Sequence, residues 1–487
     1  MLNRRDFLKA LGLLALWPQG CVSRLAQSSG TVVNDIHSQL NATRVRRIAG
    51  VDSLRQIQHL IAEGDPLCVA GGRHAMGAQQ FATDAVLVDM TRLKRVLNFD
   101  PDRGLVEMEA GIQWPALIGH LVAQQQDKPR QWGIAQKQTG ADRLSIGGSL
   151  AANVHGRGLR LKPIIADVES FTLVNANGDL LRCSRVENAE LFRLVIGGYG
   201  LFGIVYSVTL RLVPRGKVQR IVEILDLSEL MPALEGRIAD GFLYGDFQYS
   251  IDDKSDGFLR QGVFSCYRPV DPATPMPAGE RQLTEDSWKE LLYLAHADKA
   301  QAYKRYADYY LSTAGQIYWS DVHQLGIYPN DYHRELDRRL GAANPATEII
   351  TEIYVPRSRL VDFMTEARKD FLKNRVNVIY GTIRLIERDD ESFLAWAKQS
   401  YACIIFNLHT EHTRDGLEHS AAAFRRLIDM AIRRDGSYYL TYHKFATREQ
   451  VEACYPQFAQ FLQLKKRYDP GERFQSDWYR YYKKLFT

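Results

Sequence analysis

Leu144-Ser145-Ile146-Gly147-Gly148-Ser149-Leu150-Ala151-Ala152-Asn153-Val154-His155-Gly156 is the stretch that decides the fold. Its small residues let backbone approach a flat cofactor, and Ser145 and Asn153 carry side chains able to bond one. About seventy residues earlier stands Ala70-Gly71-Gly72-Arg73-His74-Ala75-Met76-Gly77, directly after the apolar run Pro66 to Ala70. A glycine-rich turn after a strand bares successive backbone N–H groups, a nest suited to a diphosphate. Taken alone, it is equally an ordinary loop with an exposed histidine. Downstream lies Leu194-Val195-Ile196-Gly197-Gly198-Tyr199-Gly200-Leu201-Phe202-Gly203-Ile204-Val205. Gly198, Gly200 and Gly203 match the dinucleotide fingerprint, but that motif follows a strand and opens a helix. Here a helix is expected before it (Glu187 to Val195) and a strand after it, which argues against a nicotinamide site.

Outward from these segments, Thr43 to Pro214 alternates helix and strand. Leu54, Ile57, Leu60 and Ile61 share a helix face. Asn177-Gly178 signals a hairpin, and Ile204 to Val213 alternates as a half-buried strand. Residues from about 216 to 425 hold more Tyr and charge. Strand-like runs there occur at Glu348 to Val355, Val376 to Ile386 and Ala402 to Leu408, with a Pro-rich loop at Pro269 to Pro277. Beyond 426 come a helix, a strand at Tyr438 to Tyr442, another helix and an aromatic tail. The expected organisation is a leader over 1–30, a cofactor domain over 41–215, a substrate (cap) domain over 216–425, and a segment over 426–487 completing the site.

The 487 residues are 45% hydrophobic and 24% charged, a globular balance with room for two or three cores. The net charge is +5, and no basic run with interleaved aromatics suggests nucleic acid. Asn3-Arg4-Arg5-Asp6-Phe7-Leu8-Lys9 followed by the apolar run Ala10 to Trp17 resembles a twin-arginine export signal, far short of the ~20 residues that span a bilayer. It implies a periplasmic or extracytoplasmic protein that meets the twin-arginine machinery already folded. Gly20-Cys21 offers a lipidation site, but Pro18 reads against it. The six cysteines show neither metal nor redox spacing, and no disulfide is expected.

The three glycine-rich segments, in this order, resemble the vanillyl-alcohol-oxidase superfamily, whose PCMH-type domain binds FAD. "GGRHAMGAQQ", "LSIGGSLAANVHG" and "GGYGLFGIV" are most similar to cytokinin dehydrogenases. The resemblance implies an α+β fold: a two-subdomain FAD-binding domain plus an α+β substrate domain with an antiparallel sheet. It also implies FAD joined covalently through its 8α position to His74; Arg73 stands where many members have glycine. The cofactor would lie on Gly71, Gly72, Arg73, His74, Ala75, Met76, Ser145, Gly147, Gly148, Ala152, Asn153, His155, Gly203 and Ile204. His155 has a second reading, satisfying a backbone carbonyl nearby.

The end of the chain, "DGSYYLTYHKFATREQVEACYPQFAQFLQLKKRYDPGERFQSDWYR", is similar to decaprenylphosphoryl-ribose oxidases and, more loosely, to aldonolactone and alditol oxidases. Those families place a lysine on the strand matching Tyr438 to Lys444. Here that position is Tyr442, which leaves the base open between Tyr442, His443 and Lys444. Arg384 matches another basic position and Glu352 a polar one. If Ile405 faces the flavin, strand periodicity puts Asn407 and His409 on the same face. His409 and His412 are spaced as a metal pair, but no third ligand pattern accompanies them and no metal is expected. Trp478, Tyr479, Tyr481 and Tyr482 either wall the flavin or pack a terminal helix. The implied reaction is hydride transfer to flavin N5 from a sugar, polyol or related alcohol, with oxygen or a membrane electron carrier as acceptor. C–N oxidation, as in cytokinin dehydrogenases, is the alternative; an inactive exported binding protein is another.

Overall fold

The computed structural model describes residues 30–487 except 278, 327, 328 and 330. Residues 1–29 of the expected leader, Cys21 among them, lie outside the described residues.

The first half holds two main sheets beside two short two-stranded ones. One has three parallel strands in the order Arg47–Gly50, Val86–Asp89, Leu67–Ala70. The last two read as short apolar runs because helix Leu54–Ala62, with Ile57, Leu60 and Ile61 inward, helps enclose the sheet. The other is antiparallel, ordered Leu180–Ser184, Val168–Val174, Ile204–Arg211, Leu105–Glu109, Val96–Asp100. The hairpin at Gly178 (φ 86°) pairs Leu180 with Val174. Helix Ala189–Val195 precedes Gly198 to Gly203 and strand Ile204–Arg211 follows.

The rest is built on one eight-stranded sheet. Its order is Ile317–Trp319, Lys217–Asp226, Gln261–Val270, Tyr244–Tyr249, Val378–Ile386, Tyr401–Glu411, Ala346–Pro356, Ser437–Tyr438. All its pairings are antiparallel. Period two divides its side chains. Phe406 packs on Phe363 and Phe371 of helix Leu360–Asn374. Thr410 meets Ser420 of helix Arg414–Ile432. The intervening Ile405 and Asn407 face the opposite way, toward a cavity. The whole is α+β.

Three expectations are corrected. The expected Pro-rich loop at Pro269 to Pro277 gives up its first two residues to Gln261–Val270, a ten-residue strand inside the sheet. Helix Arg414–Ile432 runs through the expected 425/426 boundary, and Ser437–Tyr438 joins the same sheet. The strand expected over Tyr438 to Tyr442 stops at Tyr438. Beyond it the Leu440 carbonyl accepts from Gln79 Nε2 (3.0 Å). The chain turns there onto the Gly71 to Gly77 loop, so tertiary contacts replace the ladder.

Candidate active site

A cavity of about 630 Å³ lies where the cofactor segments meet the cap sheet. Its floor is almost bare backbone: Gly71, Gly72, Ser145, Gly147, Gly148, Ala152 and Gly203 all line it. The glycines are sterically obligatory. A Cβ on Gly71 would sit 2.0 Å from Ser145 Oγ, and one on Gly72 2.2 Å from the Arg143 carbonyl oxygen. Helix Ile146–Ala152 starts beside them, capped by Ser145, which accepts from Gly148 N (3.2 Å). Arg73, also lining the cavity, adopts φ 60°, a conformation natural to glycine.

His74 lines the cavity with Ala75 and Met76. Its Nδ1 lies 2.8 Å from His37 Nε2. Its buried Nε2 makes no well-directed hydrogen bond among the described residues. Burial, followed by the proximity of His37, holds His74 well below the usual imidazole range. His37 is itself lowered to about 3, by burial and then by His333. Both rings are therefore neutral near pH 7. With His74 donating Nδ1–H to His37, its Nε2 keeps a lone pair.

Strand register sets the opposite wall. Glu352 faces Ile405, which faces Thr382; Ile350 faces Asn407, which faces Tyr380. Ile350, Tyr380, Thr382, Arg384, Ile405, Asn407 and Tyr442 all line the cavity. Glu352 stands one step behind: Tyr442 O–H donates to its Oε2 (3.2 Å). Its Oε1 lies 2.5 Å from His155 Nε2, and His155 Nδ1 lies 3.0 Å from the Gly156 carbonyl. A nitrogen facing a carbonyl must carry hydrogen, so the Nε2–Oε1 contact needs one further proton, shared between His155 and Glu352. Burial, and next the Glu352 charge, push the Tyr442 phenol well above 10. Arg384 is buried, and its Nε has no hydrogen-bond partner among the described residues. A buried guanidinium left so poorly satisfied is poised for an anion or a developing negative charge.

Several expected residues lie elsewhere. Asn153 ends its helix in the left-handed conformation (φ 49°). That turns its amide away from the cavity to Asp389 Oδ2 (2.9 Å) and Ile165 N (3.1 Å). His155 serves Glu352 rather than the cofactor surface. Ile204 is buried in the core with Val174, and its neighbour Val205 reaches the cavity. His443 stacks on Phe445, and Lys444 lies over the Tyr481 ring. Neither lines the cavity, because no regular strand aligns them with Tyr442. His409 shares its face with Asn407 but ends beyond the cavity, near Glu348 (3.8 Å). Trp478, Tyr479 and Tyr482 are buried in helix Asp477–Phe486. Trp478 packs on Tyr199 (4.8 Å), so these aromatics are core packing.

The cavity also contains residues the sequence reading passed over: Gln138 to Asp142, Arg157, Tyr309, Tyr310 and Tyr380. Arg157 lies just past the diagnostic segment and was within reach of it. The tyrosines come from remote cap elements and carried no local signal.

Residues 43–184 match the model of the FAD binding domain family. Over 190 residues the chain is 28% identical to L-gulonolactone oxidase of Bos taurus, covering 39% of this chain and 41% of that protein. It is 31% identical over 206 residues to L-gulono-1,4-lactone dehydrogenase of Mycobacterium tuberculosis (42% and 44%). A longer alignment, 22% identical over 445 residues, joins it to cytokinin dehydrogenase 9 of Oryza sativa subsp. japonica (86% and 82%). Against the two lactone enzymes the chain spans less than half of the relative's length. Residues 43–184 carry a PCMH-type FAD-binding domain, and FAD is its cofactor. The residues present fit that group: a cavity floor of glycine and other small residues, and a buried histidine nitrogen at its edge.

Proposed function

We propose that the protein is an FAD-dependent oxidoreductase that oxidises a CH–OH group of a sugar, polyol or related alcohol. The observation that carries this reading is the proton path Tyr442–Glu352–His155 opening onto the cavity. Bound FAD supplies the hydride acceptor. Tyr442 takes the substrate hydroxyl proton while passing its own to Glu352 Oε2, so the phenol relays without ionising. His155, anchored on the Gly156 carbonyl, holds the other carboxylate oxygen. Arg384 stabilises the negative charge that develops on the substrate oxygen. The lactone-enzyme relatives support this class, and the long alignment with a cytokinin dehydrogenase supports C–N oxidation as the second reading.

His74 Nε2 is the natural point for a covalent flavin bond. We take the chain to be exported through its twin-arginine-like leader, with oxygen or a membrane carrier as electron acceptor. The first test denatures the protein in acid and asks whether the yellow colour stays with the polypeptide. Colour retained in wild type and released in His74→Ala establishes the bond; colour released from both removes it. Anaerobic bleaching of the flavin by a panel of alcohols and of allylic amines then decides between the two substrate readings. Bleaching by amines alone overturns the alcohol assignment.

A further inference from the structure

Beyond Asn407, where the cavity ends, four chemistry-bearing side chains converge from distant parts of the chain. Glu348 and His409 are register partners on adjacent strands. His296 comes from the last turn of helix Glu285–Ala297, and His333 from the first turn of helix Tyr332–Leu340. His296 Nε2 lies 3.2 Å from Glu348 Oε1, His333 Nδ1 3.0 Å from Oε2, and His409 Nδ1 3.8 Å from Oε1. The ligating atoms of His296, Glu348 and His409 all fall within 4.8 Å of one another. The His296, His333 and Glu348 side chains are 5%, 4% and 3% exposed, and His409 is 21% exposed.

Close as they are, these nitrogens are badly directed for hydrogen bonds. Neither His296 Nε2, His409 Nδ1 nor either ring nitrogen of His333 makes a well-formed one among the described residues. Buried polar atoms left in this way require an explanation, and an ion is one of the few available. His296 Nε2, His409 Nδ1 and Glu348 Oε1 form an N₂O set, and His333 lies on the other carboxylate oxygen. Bonds of ~2.0–2.2 Å to a tetrahedral ion separate its ligand atoms by ~3.3–3.5 Å, and the two histidine contacts to Glu348 Oε1 are 3.2 and 3.8 Å. Tyr332, which lines the cavity, donates its O–H to Glu348 Oε2 and so orients the carboxylate. His412 is already engaged with Thr347 Oγ1 (2.9 Å), which explains why the sequence-adjacent pair is not the ligand pair.

We propose that His296, His409 and Glu348 bind one divalent transition-metal ion, zinc being the best match to a set of two imidazoles and a carboxylate. The site lies beyond the cavity, and its role is structural. The ion ties helix Glu285–Ala297 to the sheet, while His333 and Tyr332 brace the other oxygen of Glu348.

The test uses the purified full chain, stripped with a chelator and titrated with Zn²⁺ alone. Calorimetry and elemental analysis are expected to give one ion per chain. His296→Ala and His409→Ala should each weaken binding at least ~100-fold, and Tyr332→Phe ~10-fold. His419→Ala, which changes an exposed histidine, should leave binding unchanged. Co²⁺ added to stripped protein should give the intense visible bands of a tetrahedral site, to the red of the flavin. Should His296→Ala fail to fold, Glu348→Gln and the more exposed His409→Ala provide the same comparison. Equal zinc binding by wild type and these variants, or no stoichiometric binding by wild type, overturns the proposal. Neither result depends on flavin content or turnover.

Discussion

Replacing Tyr442 with Phe tests the proposed chemistry most directly, because it deletes one oxygen and leaves the ring in place against Tyr439 (5.7 Å, perpendicular). The cost in stability is small. The lost bond to Glu352 is 3.2 Å, long for a hydroxyl on a carboxylate, and Glu352 keeps its closer partner His155. The expected loss is about 1 kcal/mol, the low end for an orphaned buried acceptor. The effect on rate is large. Glu352 is 1% exposed and does not itself line the cavity, so it has no direct route to a substrate hydroxyl. Removing a positioned acid–base group costs ~10²–10⁴ in rate. With the second acceptor out of reach, about 10³-fold is expected, equivalent to roughly 4 kcal/mol. The assay is anaerobic stopped-flow loss of flavin absorbance, using the best substrate from the alcohol panel. Tyr442→Phe and Glu352→Gln act on the same proton, so the double variant should be scarcely slower than the worse single. A Tyr442→Phe enzyme within threefold of wild type, or singles that multiply, would refute the relay.

Other outcomes follow from the same geometry. Gly72→Ala forces a Cβ to within 2.2 Å of the Arg143 carbonyl oxygen; the loop must move, and purified protein should carry substoichiometric FAD and lose about 1–3 kcal/mol, read by absorbance ratio and denaturant midpoint. Asn153→Ala should lose about 2–4 kcal/mol, from two buried bonds and a left-handed residue, without altering the flavin spectrum. Acid should destabilise the fold between pH 7 and 5. His37 (about 3), His323 (well below the usual range) and His443 (about 4) are all lowered by burial, so the unfolded chain binds protons there that the native one does not. Asp167, raised to about 7 by burial, acts in the opposite sense. His37 and His443 each cost ~2 kcal/mol at pH 5, His323 adds in the same direction, and Asp167 returns about as much as one of them, a net loss of at least about 2 kcal/mol; a melting temperature flat or rising on acidification would contradict it.

What the linear chain determined was the cofactor half. The glycine-rich segments must admit backbone to a ligand, and a Cβ on Gly71 or Gly72 would collide with its neighbours. The motifs are runs of consecutive residues and so are legible in the chain, as is the alternation of Ile204–Arg211, although what those Cβ atoms would strike, Ser145 and Arg143, stands about seventy residues on. Strand periodicity also placed Asn407 correctly on the cavity side. It could not say where the cavity stops, so His409 was counted among the site residues although it lies beyond them. The base was undecidable among Tyr442, His443 and Lys444, because the choice depends on where a strand ends. That end is dictated by Gln79 and the Gly71 to Gly77 loop, more than 350 residues away. Asn153 and His155 sit inside the most telling stretch, yet their partners Asp389 and Glu352 come from the cap. The His296, His333, Glu348 and His409 cluster shows the limit most plainly. Two of its members are 113 residues apart, on a helix and a strand, and only packing of those helices on the sheet brings them together. Glycine runs and strand alternation are patterns of neighbours along the chain. Proton paths and ligand sets belong to neighbours in space, and the tertiary structure alone decides them.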